Sequence, residues 1–176
     1  VKACRLGDVN KETQYILNYF NVEAPALIEE VTENDEVILV DHNERNVAGE
    51  IICIIDHHPT SKEFNIEHYY NKKISSTAIL ISKDNENLLN KYDLELVTLA
   101  TLVDTASFHS TKGKEEDEMW IKNICNKYNI DYNKYVSLSS LIFDIESILN
   151  EDTDVDDLEE VSRRLAELNY YNNTNK

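Results

Sequence analysis

The 176-residue sequence predicts an α/β domain with a mainly parallel sheet and helices on both of its faces. Two observations lead there. The runs Val37-Ile38-Leu39-Val40 and Ile51-Ile52-Cys53-Ile54-Ile55 are continuous rather than alternating, rich in β-branched residues and bounded by turn signals. Strands covered on both faces read this way. Later in the chain the apolar period changes: Leu138, Leu141, Ile142, Ile145, Ile148 and Leu149 recur at the spacing of one helical face. The length suits one domain, and a 41% apolar share supplies a core.

In chain order, residues 1–6 read as a short strand and Gly7-Asp8 as a turn. Asn10 is placed to cap a helix over residues 11–20, with Tyr15, Ile16, Tyr19 and Phe20 on one face. Pro25 opens a short element, and a polar turn over 32–36 leads into the first apolar run, which stops at Asp41. The second run stops at Asp56-His57-His58-Pro59, and an extended stretch follows near 64–70. Ser75-Ser76 precedes a helix expected over 77–92. The stretch 94–106 is read as a helix rather than a strand from its length and its Ala and Leu content. Residues 114–128 are amphipathic, with Met119, Trp120, Ile124 and Cys125 expected inward, and 136–149 form a further amphipathic helix. The expected division is a domain over 1–150 and an acidic helical tail over 151–176, partly disordered, with a last helix near 161–168.

Composition excludes several functions. A net charge of −17 repels phosphate backbones and anionic lipid, so neither a nucleic-acid nor a membrane partner is expected. Only 3 glycines occur where average usage gives roughly 12, and no Gly-rich phosphate loop can be written with them. Cys4, Cys53 and Cys125 are widely spaced and form no Cys-x-x-Cys pair, which points to a reducing, cytoplasmic setting. No apolar run approaches membrane-spanning length, and no signal-peptide pattern opens the sequence at Val1.

Both apolar runs end in metal-ligand residue types, Asp41-His42-Asn43-Glu44 and Asp56-His57-His58. Ligands of open α/β sheets bind beyond the carboxyl ends of the strands, so neighbouring strands would put Asp41 beside His57 and His58 on one rim. Asp104, a lone carboxylate in an apolar helix, is the third candidate, because burying its charge demands a cation or hydrogen bonds. Carboxylates suit Mn²⁺ or Mg²⁺, and imidazole shifts the preference toward Mn, Fe, Co or Zn. Each residue also has a structural reading: strand-end Asp and His cap turns, and a lone helical Asp often faces water. Their conjunction singles them out. His68 and His109 read as surface or packing residues, and the tyrosines, without interleaved basic residues, as core and surface fill.

Residues 37–44 (Val-Ile-Leu-Val-Asp-His-Asn-Glu) and 54–59 (Ile-Ile-Asp-His-His-Pro) resemble the DHH phosphoesterase superfamily, and within it the manganese-dependent (family II) inorganic pyrophosphatases and related exopolyphosphatases. The resemblance extends to residues 5–13 with Tyr19-Phe20, to Ser76-Thr77-Ala78-Ile79, and to Leu102-Val103-Asp104-Thr105, covering roughly residues 1–150. It implies a DHH-type domain in which Asp41 and Asp104 bridge metals and His57 ligates one. His58 would contact phosphate or the metal edge, and Asp56 would orient a histidine. The implied chemistry is hydrolysis of a phosphoanhydride, with pyrophosphate or short polyphosphate as substrate, Mn (or Mg or Co) as cofactor, and a homodimer through sheet edges such as residues 1–6, or a larger protein complex, as the assembly.

The sequence also departs from the family. It carries no His-x-x-x-Asp-x-Asp, so the domain is expected to be incomplete at its N-terminus, without the first strand and motif. No second, substrate-clamping domain is recognisable, the loop over 45–50 is short, and Lys73-Ile74-Ser75 stands where the family carries a glycine. The expectation is a partial or degenerate catalytic domain holding a single weakly bound ion or none. The alternative is a non-catalytic binding or structural protein of the same descent. A single-strand nuclease is disfavoured by the acidic balance and by residues 5–13.

Overall fold

The computed structural model describes residues 1–43, 47–61 and 63–150, with side chains as far as Phe143. Glu44, part of the loop over 45–50 and the tail over 151–176 lie outside the described residues.

The fold is α/β, as the two apolar runs require. The central sheet holds β3 (Glu36–Val40), β4 (Glu50–Asp56) and β5 (His68–Asn71) in the order β3-β4-β5, all parallel. A second parallel pair joins β1 (Cys4–Arg5) to β2 (Ala26–Leu27). The strand expected over 1–6 is thus reduced to two residues. Ile54 and Cys53 are adjacent and point to opposite faces, yet both are buried, which accounts for the continuous apolar run of β4. β3 is covered less completely, and Val40 at its end is 45% exposed.

Helices flank these sheets: α1 (Lys11–Tyr19), α2 (Thr77–Asn85), α3 (Lys91–Asp104), α4 (Glu115–Tyr128) and α5 (Tyr132–Asn150). Asn10 caps α1, its side chain accepting from Thr13 N at 2.7 Å. The helix expected over 77–92 is broken. α2 stops at Asn85, a 3-10 turn occupies Glu86–Leu88, and Asn90 restarts the chain as α3. The cause is a capping box: the Asn90 side chain accepts from Tyr92 N and Asp93 N, and Asp93 accepts from Asn90 N. This local competition defeats the apolar period.

In α4 the inward face is Asp117, Ile121, Ile124 and Cys125. Met119 was expected there, but it is 58% exposed because buried Asp117 takes the inward slot and Met119 lies two residues, more than half a turn, away from it. Trp120 packs part-buried against the core. α5 begins at Tyr132, one turn before the expected start. The core lies where α3, α4 and α5 meet, and its fully buried members include Leu94, Leu99, Leu102, Ile121, Leu138 and Ile142. Each contributes about 1.5–3 kcal/mol by burial. Among the described residues, no helix is long and apolar enough to cross a membrane.

Candidate metal centre

The register of the central sheet assembles the site. Val40 pairs with Ile55 and Asp56 with Asn71, so the carboxyl ends of β3, β4 and β5 form one rim. The backbone N–H of Asp41 donates to Ile55 O at 2.9 Å, extending the ladder by one residue. Asp41 then turns the chain with a φ of 64°, in the left-handed region that Asp tolerates better than most residues.

His57 is the centre of the cluster. Its side chain is 4% exposed, and Nδ1 lies 3.1 Å from the carbonyl oxygen of Ile74. A carbonyl only accepts, so Nδ1 carries the proton and the Nε2 lone pair of the neutral ring is left free. Nε2 is buried and has no hydrogen-bond partner among the described residues. It stands 3.6 Å from Asp41 Oδ1 and 3.6 Å from Asp104 Oδ2. These separations are too long for good hydrogen bonds. They come within about 0.2–0.6 Å of the spacing of donors sharing one cation: two atoms each about 2.1 Å from an ion lie about 3.0 Å apart at right angles and about 3.4 Å apart at the tetrahedral angle. An orphaned imidazole nitrogen facing two carboxylates is the arrangement a divalent cation satisfies.

His58 packs edge-on against His57, with ring centroids 4.3 Å apart. Its Nδ1 donates to Asp56 Oδ1 at 2.8 Å, which leaves its Nε2 free as well. Donor atoms of Asp41, His57 and His58 lie within 4.8 Å of one another, a candidate metal-binding cluster. Asp56 is fully buried at the end of β4. Its Oδ1 also accepts from His57 N at 2.8 Å and His58 N at 3.2 Å, and its Oδ2 accepts from Asn43 at 2.5 Å. Burial pushes this carboxyl up, but the bonds from His58 and His57 together outweigh it and hold the group below the usual carboxylate range.

Asp104 ends α3, where the helix dipole disfavours a negative charge. Its Oδ1 is paired with Lys112 Nζ at 2.8 Å. The chain leaves α3 through Ala106, Ser107 and Phe108, all at positive φ (49°, 53° and 65°). Thr105 Oγ1 donates to Thr101 O and accepts from Phe108 N, which ties this segment to the helix. Of the other histidines, His42 Nδ1 bonds the carbonyl of Val40, and His68 and His109 are exposed.

Sequence reasoning assigned no role to several participants. Asn43 is buried and also bonds His58 O at 3.1 Å, and Asn71 bonds the same carbonyl at 2.8 Å, locking the Asp56-His57-His58 turn. Asn43 sat within the Asp41-His42-Asn43 run, but Asn71 and Lys112 carried no signal.

No family model matches the chain. Among curated relatives, it is 33% identical over 147 residues to a protein of Listeria innocua named a probable manganese-dependent inorganic pyrophosphatase, covering 77% of this chain and 48% of the relative. A protein of Bacillus cereus with the same name is 34% identical over 143 residues, covering 74% of this chain and 46% of the relative. The crystal structure assigned as a family II inorganic pyrophosphatase of Methanococcus jannaschii superposes with a TM-score of 0.66 at 31% identity, over 79% of this chain and 51% of that one. The chain spans about half the length of the curated relatives it matches.

Proposed function

On the premise that this chain is homologous in sequence and fold to the manganese-dependent family II inorganic pyrophosphatases, with their DHH-type domain, we propose that it carries the cation-binding rim of a metal-dependent phosphoanhydride hydrolase. Pyrophosphate or a short polyphosphate is the substrate class, and Mn²⁺, with Mg²⁺ or Co²⁺ as alternatives, is the cation. The observation that carries the reading is the buried, unpartnered Nε2 of His57 facing the carboxylates of Asp41 and Asp104.

His57, Asp41 and Asp104 would hold the cation, with the free Nε2 of His58 at its edge or against phosphate. A bound divalent ion lowers the pKa of a water and offsets charge on the phosphoryl oxygens. The chain's own work is positional: Asp56 fixes the His58 ring and the β4 turn, and Ile74 O fixes the proton of His57 on Nδ1. The scarcity of glycine fits this reading, in which phosphate is reached through a cation and side chains rather than backbone amides.

A second reading, a binding or structural protein of the same descent, is favoured by the Lys112–Asp104 pair, which already neutralises one carboxylate of the rim. The test is phosphate release from pyrophosphate and from short polyphosphate, with and without Mn²⁺, by the wild-type protein and by Asp104→Asn. Mn²⁺-dependent release lost on Asp104→Asn supports the hydrolase. Mn²⁺ binding with no release from either substrate overturns it in favour of the binding protein.

A further inference from the structure

Asp117 on α4 touches no residue of the metal rim, yet it is fully buried and holds the peptide on which His57 rests. The peptide unit between Ile74 and Ser75 is bonded at both ends. Its carbonyl oxygen accepts from His57 Nδ1 at 3.1 Å, and its N–H donates to Asp117 Oδ2 at 2.8 Å. The same Oδ2 accepts from Ser75 Oγ at 2.7 Å, and Ser75 Oγ in turn accepts from Lys114 N at 3.0 Å. Lys83 on α2 reaches Asp117 Oδ1 at 2.6 Å.

We propose that Asp117 is a positioning residue for His57, acting through the single peptide between Ile74 and Ser75. The peptide is planar and rigid, so fixing its N–H on one side fixes the direction of its C=O on the other. An N–H bonded to a carboxylate also polarises its own carbonyl, which becomes a stronger acceptor for His57 Nδ1. Asp117 thereby keeps the His57 proton on Nδ1 and the Nε2 lone pair directed at Asp41 and Asp104. Ser75 Oγ adds a second bond to the same oxygen and restrains the peptide from rotating away. The consequence for cation binding rests on reading His57 as a ligand; the control of its tautomer does not.

The two roles of Asp117, tying α4 to the α2 entry and holding the tautomer, separate in solution. The full chain is labelled with ¹⁵N-histidine, kept metal-free at mildly alkaline pH, and long-range ¹H–¹⁵N spectra are recorded, with His57→Gln assigning the His57 signals among the 5 histidines. The wild type is expected to show His57 protonated on Nδ1. Asp117→Ala, which removes the acceptor, should lower the ratio of Nδ1- to Nε2-protonated ring by about tenfold at most, the net worth of one hydrogen bond. Asp117→Asn, which keeps an acceptor for Ser75 N but removes the charge, should lower it by a smaller factor. Lys83→Met lowers the melting temperature but leaves Ser75 on Asp117, so the tautomer should stay. If Asp117→Ala does not fold, Asp117→Asn against Lys83→Met supplies the same comparison. An unchanged tautomer in Asp117→Asn, or an equal shift in Lys83→Met, overturns the proposal. Mn²⁺ added afterwards reads the ligand assignment by itself: failure to broaden the His57 signals overturns that assignment and not the tautomer control.

Discussion

The Nε2 atom of His57 and the Oδ2 atom of Asp104 stand 3.6 Å apart, one at the end of a buried strand and the other at the end of a helix. Neither atom gains from the other without a proton or a cation between them. Mn²⁺ is therefore expected to raise the melting temperature. At free Mn²⁺ 100-fold above its Kd the stabilisation is about 2.7 kcal/mol, roughly 5–10 °C for a chain of this size. His57→Ala and Asp104→Asn should abolish the shift, and a chelator should reverse it in the wild type. An equal shift in all three proteins, measured by thermal unfolding, would place the ion elsewhere.

Lys112 would compete with a bound cation for Asp104. Its Nζ lies 2.8 Å from Asp104 Oδ1, and both side chains are part-exposed, so the pair is worth about 0.2–1 kcal/mol. Lys112→Ala removes that competition and should tighten Mn²⁺ binding by about 1.4- to fivefold in a calorimetric titration. Weaker binding in this variant would mean that Lys112 orients Asp104 rather than masking it.

Gly113 serves the same loop by having no side chain. A Cβ there would lie 2.7 Å from Phe108 O and 2.8 Å from Phe108 Cα, both backbone atoms of the left-handed segment after Asp104. Gly113→Ala should cost about 1–3 kcal/mol by overpacking. It should also weaken Mn²⁺ binding, because the segment it displaces sets the exit of the chain from Asp104. Chemical denaturation and the Mn²⁺ titration read the two effects separately.

The rim was legible in the sequence because its residues stop continuous apolar runs. Asp41 and Asp56-His57-His58 follow two strands whose periodicity is plain, and pairing those strands brings Asp41 to His57. Asp104 was legible as a charge among apolar neighbours. What stayed hidden depends on tertiary contact. Asp117 sits in a first turn with Glu115, Glu116 and Glu118, and only the fold separates the one buried carboxylate from its solvated neighbours. The break between the two helices over 77–92 and 94–106 falls earlier than the sequence places it, for a local reason: Asn90 and Asp93 cap a new helix start within the stretch read as the end of the first helix.

Acid stability tests the buried carboxylates directly. Burial pushes Asp117 up, but the bonds from Lys83 and Ser75 outweigh it and hold the carboxyl below its ordinary value. A carboxyl whose folded pKa is depressed binds its proton more readily in the unfolded chain. It therefore contributes stability that is fully present above the unfolded value, about 3.9, and is lost as pH falls through the lower folded value. Asp56 has the same sign from its bonds to His58 and His57. Unfolding free energy is thus expected to fall steeply below about pH 4 in the wild type. Asp117→Asn has no such proton to take up, so it should be less stable than the wild type near neutral pH and lose less on acidification. Urea unfolding across that range measures both slopes. Parallel curves would show that Asp117 is not ionised in the folded protein, and would remove the charge that its bonds to Lys83 and Ser75 imply.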